Sequence, residues 1–522
     1  MIEKVKRMLG LAPKRSGNKL IINCEKLEQR VALLENSQLE EYNVERQTER
    51  NIVGGIFKGK VKNIEHGLKA MFVDIGYEKN AFLHFWDAIP GLDSGVEQVA
   101  RKGAQKNKKK ITAADIPKIY PVGSEVLVQV TKGPISNKGP RITTNISLAG
   151  RYLVLMPYND QSGISRKIED PKERDRLRKI LQALDVPEGM GVIVRTVGEG
   201  QRARYFVRDI GLLLEQWRHI EEQMRTKPAP SCVFREPDLV ERTVRDFLTD
   251  EIDAVVCDDL QAVERMRNLV SQISKRSRNR IQHYNEPVPI FERYNVQKQI
   301  DDAFHRQVWL KCGGYIVIDE TEALIAIDVN TGRNKGGKDV ERTILQTNLE
   351  AADEMARQMR LRNIGGLIIG DFIDMKSRKD QQAVYQRMRD RLKRDKSKTH
   401  VLPISQLGLM EMTRQRAAES ISGSVFEACP YCHGRGKVKS AMTMSVELQR
   451  ALHAVMKKYQ DIHEVKVIVH PKVLDRLRSE DDELLVEIER KYAGRLTFRS
   501  EPNYHLEQFV ITDANTGAEL KA

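Results

Sequence analysis

Two apolar segments that each end in an aspartate constrain the fold of this chain more than any other feature. The first reads ALIAIDVNTG over residues 323–332, and the second reads GGLIIGDFIDM over residues 365–375. Each has the length and composition of a buried strand, and turn residues follow. Between them, apolar residues repeat at spacings of four and three, at Leu345, Leu349, Ala352, Ala356 and Met359. The pattern predicts a β-hairpin, an amphipathic helix and a strand, with Asp328 and Asp371 at neighbouring strand ends.

The two aspartates have the chemistry of a metal site. Carboxylate oxygens are ligands that Mg²⁺ prefers, and a metal ion with bound water can neutralise charge and supply hydroxide for phosphodiester hydrolysis. Asn330 lies on the same side of an extended chain as Asp328, where it could bind the scissile phosphate or the attacking water. Asp374 is a further candidate, with helix capping as its alternative role. For each aspartate alone, the simpler interpretation is a residue that ends a strand. The two aspartates together with Asn330 favour a site for phosphate chemistry.

Length and charge indicate a multidomain protein with a polyanionic partner. The chain has 522 residues, which is too long for one compact domain. Its hydrophobic share of 40% is enough for several cores. Lys and Arg number 87 against 73 Asp and Glu, giving a formal charge of +14. Nucleic acid is the leading partner, although a basic ribosome-associated or membrane-surface protein would have a similar balance.

The sequence predicts a cytoplasmic protein without a transmembrane segment. No stretch approaches the roughly 20 apolar residues that span a bilayer, and charges interrupt the N-terminus too often for a secretory signal. Residues 1–18 form a basic extension, and one face of a short helix there would carry Ile2, Val5, Met8 and Leu9. Such a face permits a membrane or partner contact, but a solvated terminus is the favoured interpretation.

Residues 54–84 read as short strands punctuated by glycine, with Phe72 on one strand and Phe82 on the next. A five-stranded barrel of this kind can present aromatic faces to bases and lysines to the backbone, and it resembles the S1-type OB-fold. Lys132 and Lys138 in a later loop could follow phosphates, with solubility as the alternative. The run at 101–110 has six basic residues in ten, and a solvated loop is favoured there over an RNA contact.

A small mixed domain is predicted from residue 150 to residue 213. Arg195 and Thr196 end one of its strands, so a guanidinium and a hydroxyl lie side by side where a terminal phosphate could bind. Such a strand end is also commonplace without any ligand. From residue 437 the tail reads as a further small α+β domain, with the strand VKVIVH and a final VITD.

The cysteines divide into four single residues and one pair. Cys24, Cys232, Cys257 and Cys312 stand singly, as reduced core cysteines do. Cys429 and Cys432 form a CxxC in the sequence CPYCHGRG. A structural zinc ion needs four ligands and no second CxxC is present, so the favoured interpretation is a zinc ion shared between two chains. The alternatives are a redox-active pair and a site in which His433 is a third ligand.

One long segment resembles the catalytic core of the ribonuclease E and ribonuclease G family. The matching string is IDVNTGRNKGGKDVERTILQTNLEAADEMARQMRLRNIGGLIIGDFIDM, and the likeness extends through LGLMEMTRQR and CPYCHGRG and upstream through PEGMGVIVRT. It covers roughly residues 20 to 440. The resemblance implies a magnesium-dependent endoribonuclease that cuts single-stranded, AU-rich RNA to leave 5′-phosphate and 3′-hydroxyl ends, in ribosomal RNA processing and messenger RNA decay. In it, Asp328 and Asp371 match the metal ligands and Asn330 matches the active-site asparagine.

The resemblance also implies RNA contacts away from the aspartates. Phe72, Phe82, Lys132 and Lys138 match RNA-binding positions of the family's S1 domain. The family's pocket for a 5′-monophosphate corresponds to Gly150, Val154, Arg195, Thr196 and Lys398. Ribonuclease E has an arginine where this chain has Lys398. A lysine ammonium cannot bind phosphate through two parallel bonds as a guanidinium can, so weaker binding of the 5′-monophosphate is predicted.

The implied fold class is multidomain α/β and α+β, with an S1-type OB barrel inserted in an RNase H-like domain. Zinc would link two chains into a homodimer. Two such dimers could also pair to form a homotetramer. The alternative function is that of a non-catalytic RNA-binding scaffold. The expected parts are a basic N-terminal extension (1–18), a split RNase H-like structural domain (19–50 and 216–285), the S1-type domain (51–146), a 5′-monophosphate sensor (147–215), a DNase I-like catalytic domain (286–428), a zinc link (429–436) and a small C-terminal α+β domain (437–522).

Overall fold

The computed structural model divides into two compact units, residues 1–424 and residues 425–522. The structure describes residues 17–46, 52–89, 96–99, 112–134, 138–249, 251–273, 275–321, 323–333, 340–415, 420–427 and 429–521. Most of the predicted N-terminal extension and the basic run 101–110 lie outside these ranges. Within them, no helix has the length and apolar character needed to cross a membrane.

The first unit begins with an antiparallel meander of three strands: β1 (Asn18–Cys24), β2 (Glu28–Glu35) and β3 (Gln38–Arg46). The turn between β2 and β3 is tight because Asn36 and Ser37 both adopt positive φ, at 50° and 69°, which suits a two-residue hairpin. The meander is half of a sheet that later strands complete.

A closed barrel follows the meander. The strands of this segment are β4 (Ile56–Glu65), β5 (Ala70–Asp74), β6 (Ala81–His84), β7 (Val96–Val99), β8 (Glu125–Lys132) and β9 (Arg141–Thr143), with the short helix α1 (Ile116–Ile119) before β8. All except β7 form the barrel, in the order β4-β5-β6-β9-β8, and it closes because β8 also pairs with β4. A closed five-stranded sheet of this kind is consistent with the predicted S1-like OB-fold.

A second, mixed sheet belongs to the segment that follows. Its elements are β10 (Leu148–Ala149), β11 (Leu153–Met156), β12 (Ser162–Ser165), α2 (Pro171–Ala183), β13 (Gly191–Val194) and α3 (Ala203–Thr226). The strand order is β10-β11-β13-β12-β7. Strand β7, which lies within the segment 51–146, therefore pairs with β12 of this sheet and not with the barrel.

The chain then returns to the first meander. The returning elements are β14 (Ser231–Phe234), α4 (Leu239–Phe247), β15 (Ile252–Cys257), α5 (Leu260–Ile273), α6 (Lys275–Arg278) and β16 (Ile281–His283). Strand β14 adds to the barrel beside β4, while β15 pairs in parallel with β1. The resulting sheet has the order β16-β15-β1-β2-β3. Segments on both sides of the barrel thus share one sheet.

The last sheet of the first unit contains the two aspartate segments. Its elements are α7 (Ile290–Arg293), α8 (Val296–Ala303), β17 (Gln307–Trp309), β18 (Tyr315–Glu320), β19 (Leu324–Asn330), α9 (Val340–Leu361), β20 (Gly366–Asp371), α10 (Arg378–Leu392), β21 (Thr399–Val401), β22 (Leu409–Arg414) and α11 (Ile421–Val425). The strand order is β17-β18-β19-β20-β22-β21. The predicted hairpin, helix and strand are confirmed, since β18 and β19 are antiparallel and β20 runs parallel to β19.

Helices cover one face of this six-stranded sheet. The buried core there includes Ile325, Ile327 and Ile368 from the strands and Ala352, Met355 and Met359 from α9. Alternate strand residues point to the opposite face, where Ala326, Asp328 and Asp371 are exposed. The face that carries the two aspartates is therefore the one that α9 and α10 leave uncovered.

The second unit is a small α+β fold. Its elements are α12 (Ala441–Lys458), β23 (Glu464–Val469), α13 (Pro471–Ser479), α14 (Asp482–Tyr492), β24 (Arg495–Ser500) and β25 (Phe509–Asp513). Strand β23 lies in the centre, parallel to β24 and antiparallel to β25. Its three helices pack on this sheet through a core of Leu, Val, Met and Ile side chains.

Candidate active site

The register of β19 and β20 places Asp328 directly opposite Asp371. Both side chains are exposed on the uncovered face, and neighbouring strands lie about 4.8 Å apart. Asn330 lies two residues after Asp328 on β19, and its Nδ2 donates a hydrogen bond to Asp328 Oδ2 at 2.7 Å. The three residues predicted to form the site are therefore gathered at one place.

A buried amide in α9 fixes the chain immediately after Asp371. The side chain of Asn348 is fully buried. Its Nδ2 donates to the carbonyl oxygen of Ile373 at 2.8 Å, and its Oδ1 accepts from the Ile373 amide at 3.1 Å. The Asn348 amide thereby bonds to both backbone groups of Ile373, which lies between Asp371 and Asp374. Sequence reasoning missed Asn348 because it reads only as one polar position in the helix pattern.

Asp374 belongs to the acidic cluster and not to a helix cap. The N-cap of α10 is Ser377, whose hydroxyl accepts from the Asp380 amide at 3.3 Å. Asp374 is exposed, and it lies close to Gly408, where a Cβ atom would be 3.3 Å from Asp374 Oδ1. Its negative charge acts on Asp371.

The electrostatics of the site fit a bound cation. Partial burial raises the pKa of the Asp371 carboxyl, and the negative charges of Asp328 and Asp374 raise it further. Like charges held together are relieved by a divalent cation, and hard ions such as Mg²⁺ take carboxylate oxygens as ligands. Asp328 and Asp371 are the residues that could hold such an ion.

The predicted aromatic pair lies on the outside of the barrel. Phe72 and Phe82 are directly opposite each other on β5 and β6, and their ring centroids are 5.9 Å apart in an edge-to-face arrangement. His84 continues the row, 6.4 Å from the Phe82 ring. Alternate residues of these strands fill the barrel core, so the aromatic rings face outwards.

Basic side chains border this aromatic row. Lys132 lies opposite Arg141 in the β8–β9 pair, and Arg141 in turn pairs with Phe82. Lys138 is exposed in the preceding loop. Arg141, which sequence reasoning missed, forms an ion pair with Asp87 at 2.8 Å. The signal available for it was its position at the end of the basic turn that contains Lys138.

Gly150 and Arg195 meet at the end of the second sheet. Arg195 Nη1 donates to the Gly150 carbonyl oxygen at 2.6 Å and to Asp246 Oδ1 at 2.7 Å. Thr196 follows Arg195 and starts a short 3₁₀ helix that ends at Gly198. Val154 lies on β11 opposite Ile193, two residues before Arg195. Four of the five predicted pocket residues thus belong to one corner of this sheet.

A buried carboxylate, also missed by sequence reasoning, shapes this corner. Asp209 of α3 accepts hydrogen bonds from the backbone amides of Arg151, Tyr152 and Leu153 at 3.1, 2.8 and 2.9 Å. Burial raises the pKa of Asp209, and these three donors oppose that rise. A Cβ atom on Gly150 would lie 2.7 Å from Asp209 Oδ2, so the carboxylate requires glycine at this position.

The fifth predicted residue, Lys398, is exposed on a loop that reaches the second sheet. Lys167 Nζ donates to the carbonyl oxygens of Asp395 and Lys396 at 2.5 and 3.0 Å. The Asp395 carboxylate forms a buried ion pair with Arg414 at 2.7 Å. The Lys398 carbonyl oxygen accepts from the Gln415 amide at 2.9 Å. These bonds anchor the loop and leave the Lys398 side chain exposed.

The CxxC pair sits in a turn of the second unit. Cys429 is exposed, and the carbonyl oxygens of Cys429 and Cys432 accept from the amides of His433 and Arg435 at 2.8 and 3.0 Å. Hydrogen bonds from the Cys432 and Tyr431 backbone amides lower the pKa of the Cys429 thiol. The thiolate is the form that binds metal, so this pair suits two positions of a zinc site.

Two cysteines that the sequence leaves single come together in the first unit. Cys24 and Cys257 have sulfur atoms 3.9 Å apart, and with Asp258 they are the group of potential metal ligands found among the described residues. Asp258 already accepts from the Cys24 amide and the Asn23 side chain, at 2.8 and 2.6 Å. The neighbouring thiol and burial raise the pKa of Cys257, which favours the neutral thiol of a core residue.

Comparisons with known proteins agree with this architecture. The model of the ribonuclease E/G family matches residues 147–417, and that of the ribonuclease E/G thioredoxin-like domain matches residues 428–514. Ribonuclease G of Escherichia coli (strain K12) is 37% identical over 94% of this chain and 99% of its own length. Ribonuclease E of Haemophilus influenzae is 38% identical over 91% of this chain and 50% of its own length. The chain therefore spans about half of that second relative.

Both the extent of the family match and the identity to full-length relatives exceed what a shared fold alone would give. The matched region also contains the strands that carry Asp328 and Asp371. The chain belongs to the ribonuclease E/G family and is an endoribonuclease.

Proposed function

We propose that this endoribonuclease is magnesium-dependent and cuts single-stranded, AU-rich RNA, with Asp328, Asn330 and Asp371 as its catalytic residues. The observation that carries the proposal is the register that sets Asp328 opposite Asp371, with Asn330 bonded to Asp328. Two further observations support it: the aspartates occupy an exposed sheet face, and partial burial together with like-charge repulsion raises the pKa of Asp371.

The chain's own side chains bind and orient the RNA phosphate. Asp328 and Asp371 would hold Mg²⁺, which would supply positive charge to the phosphate and make a water molecule easier to deprotonate. Asn330 Nδ2 carries two protons, so it can keep its bond to Asp328 and donate the second proton to a phosphate oxygen. The water oxygen bonds to phosphorus, the bond from phosphorus to the 3′ oxygen breaks, and a water proton ends on that oxygen. The products are a 5′-phosphate and a 3′-hydroxyl.

The barrel is proposed as the S1-type surface that binds the RNA strand. Phe72 and Phe82 offer outward rings on which unpaired bases can stack, while Lys132, opposite Arg141, and the exposed Lys138 would contact the RNA backbone. Stacking on aromatic rings requires bases that are free of a duplex, which accounts for a preference for single strands. A weakly paired, AU-rich segment meets that requirement at the smallest cost in base pairing.

The corner formed by Gly150, Val154, Arg195 and Thr196, with Lys398, is proposed as a sensor of a 5′-monophosphate. Arg195 is already oriented by Asp246 and by the Gly150 carbonyl, so a bound phosphate would meet an ordered guanidinium. Asp209 would act as a positioning residue by holding the turn after Gly150.

At the level of the cell and the assembly, we propose a cytoplasmic enzyme of ribosomal RNA processing and messenger RNA decay. Cys429 and Cys432 would supply two ligands of a zinc ion, and a second chain would supply the other two, which gives a zinc-linked homodimer. The split sheet of β1–β3, β15 and β16 would be the RNase H-like domain, and the sheet of β17–β22 the DNase I-like catalytic domain. The boundaries given by the sequence stay a prediction.

The central test compares cleavage and binding in one aspartate variant. Asp328→Asn keeps the size of the side chain but removes a metal-binding charge, so cleavage of a single-stranded oligonucleotide in magnesium should be lost while RNA binding is kept. Asp319→Asn is a matched control, because Asp319 lies on the neighbouring strand and pairs with Arg306 at 2.6 Å. Cleavage by purified Asp328→Asn protein at the wild-type rate would overturn the proposed mechanism.

A second test concerns the 5′ end of the RNA. The wild-type protein should cleave a 5′-monophosphorylated oligonucleotide faster than the same oligonucleotide with a 5′-hydroxyl. Lys398→Arg should increase this ratio, because a planar guanidinium can bind phosphate through two parallel bonds, and Lys398→Ala should decrease it. Lys379→Ala, at an exposed position in α10, is the control. Equal rates for the two 5′ ends in the wild type would contradict a sensor.

A further inference from the structure

An exposed tryptophan lies on the same sheet face as the proposed catalytic residues. Trp309 of β17 is directly opposite Tyr315 of β18, and Tyr315 is directly opposite Asn330 of β19. Residues opposite each other in antiparallel strands share a face, so these three form one row across the sheet. Two strand spacings of about 4.8 Å separate Trp309 from Asn330, which is about 10 Å.

The Trp309 ring is held in place and still open to solvent. It is 53% exposed. Its centroid lies 5.3 Å from that of Tyr315, in an edge-to-face contact, and the Arg333 guanidinium lies 5.2 Å from the Trp309 centroid. Contacts of both kinds fix the orientation of an aromatic ring. The Tyr315 ring and the Arg333 guanidinium thus support the indole, while about half of its surface faces solvent.

The turn after β19 brings Arg333 to this ring. Gly332 has a positive φ of 54°, and a Cβ atom there would lie 2.7 Å from the Gly313 carbonyl oxygen and 3.0 Å from Tyr315 Cδ1. The same carbonyl accepts from the Arg333 amide at 2.9 Å. Glycine at 332 therefore lets the turn pack onto Tyr315, and this packing places the Arg333 guanidinium beside Trp309.

We propose that Trp309 and Arg333 form a subsite for one unpaired nucleobase and its phosphate, beside the bond that is cut. The inference rests on the proposed catalytic role of Asp328, Asn330 and Asp371. An indole face stacks on any base, and an arginine can stack or bind phosphate, so the subsite requires an unpaired base without selecting its identity. It would hold the strand on the β17 side of the site, separate from the aromatic row on the barrel.

If the Trp309 ring stacks on one base, removing that base and removing the ring should have the same effect on cleavage. Abasic nucleotides placed singly on each side of a mapped cleavage position in an oligonucleotide should reveal one position where the wild type loses about 5- to 150-fold in kcat/KM. Trp309→Ala should lose a similar factor on the intact oligonucleotide. The abasic change at that position should then cost this variant nothing more, because the ring that the base contacts is already absent.

Matched variants separate stacking from damage to the fold. Trp309→Phe keeps an aromatic face and should retain most of the wild-type rate and of the abasic effect. Leu367→Ala is the control, since Leu367 is an exposed apolar residue on the same face of β20, four residues before Asp371. A wild-type rate for Trp309→Ala on the intact oligonucleotide would overturn the subsite, as would abasic and Trp309→Ala losses that simply multiply.

Fluorescence tests the subsite without any cleavage. The chain has three tryptophans, of which Trp217 is buried and Trp86 is exposed on the barrel segment. In a protein that carries Asp328→Asn and Trp86→Phe, a single-stranded oligonucleotide should quench the emission, and adding Trp309→Phe should abolish that change. Binding without quenching would overturn the subsite. Failure of the catalytic proposal would appear separately, as cleavage that survives Asp328→Asn.

Discussion

At the scale of single residues, Asn348 holds the backbone beside the proposed active site. Its amide is fully buried and matches the carbonyl and the amide of Ile373 at 2.8 and 3.1 Å. A buried backbone group that loses its partner costs about 1 to 3 kcal/mol. Asn348 therefore stabilises the backbone between Asp371 and Asp374.

We predict that Asn348→Ala lowers both stability and activity. The free energy of unfolding should fall by about 1 to 3 kcal/mol, measured by chemical denaturation, and kcat should fall because the chain around Asp371 is no longer fixed. Gln346→Ala is the control, since Gln346 is exposed in the same helix and bonds to Glu350. A variant with lower stability but wild-type kcat at a temperature where it is folded would show that Asn348 is structural alone.

Single residues differ in how well their positions can be predicted from the sequence. The placement of Asp328 and Asp371 on neighbouring strands was predictable, because two apolar runs joined by one helix favour adjacent strands, although β19 continues two residues beyond Asp328 to Asn330. Asn348 and Asp209 were not, because their partners are backbone groups at Ile373 and at residues 151–153. A single sequence contains no signal for a side chain that bonds to a backbone amide or carbonyl far along the chain.

At the scale of elements, α10 is joined to α9 by an ion-pair cluster. Asp353 of α9 accepts from Arg387 at 2.7 and 2.7 Å and from Arg391 at 2.7 and 3.1 Å. Burial raises the pKa of Asp353, but these two arginines outweigh it and hold the pKa below its usual value of 3.8. The cluster lies on the helix-covered side of the sheet β17–β22.

The direction of this shift predicts how stability depends on pH. A carboxyl whose folded-state pKa is depressed contributes stability above its unfolded pKa, and that contribution is lost as the pH falls through the folded pKa. Asp353→Asn should therefore reduce the free energy of unfolding at about pH 7 by on the order of 1 kcal/mol. The difference from the wild type should shrink as the pH falls below 3.8, the usual pKa of this carboxyl. Denaturation across this range is the measurement, with the exposed Asp390→Asn as control, and a difference independent of pH would refute it.

Elements were predicted better than their pairing. The barrel strands of residues 54–84 and the hairpin, helix and strand of the sheet β17–β22 follow from glycine-punctuated apolar runs and helical periodicity. The partner of β7 does not, because Val96–Val99 leaves the barrel segment to pair with Ser162–Ser165. The same holds for β14, which adds to the barrel from residue 231 onwards. Pairing across such distances depends on how whole domains pack, which periodicity does not encode.

At the scale of the whole molecule, the proposed zinc site at the CxxC pair would connect metal binding to assembly. A structural zinc ion takes four ligands in a tetrahedron, and Cys429 and Cys432 supply two. His433 has a positive φ of 50° in the turn that follows them. Among the described residues, it does not form a group of three potential ligands with the two cysteines. A second chain is the simplest source of the missing ligands.

We predict that the purified protein contains about half a zinc ion per chain and sediments as at least a dimer. Cys429→Ser should lose the zinc and shift the protein towards monomers, because a hydroxyl replaces a thiolate whose pKa is lowered by the Cys432 and Tyr431 amides. Elemental analysis and sedimentation velocity measure the two effects together. Cys232→Ser is the matched control, since that half-buried thiol donates to the Phe234 carbonyl oxygen at 3.3 Å and lies on β14. One full zinc ion per chain in a monomer would show instead that each chain completes its own site.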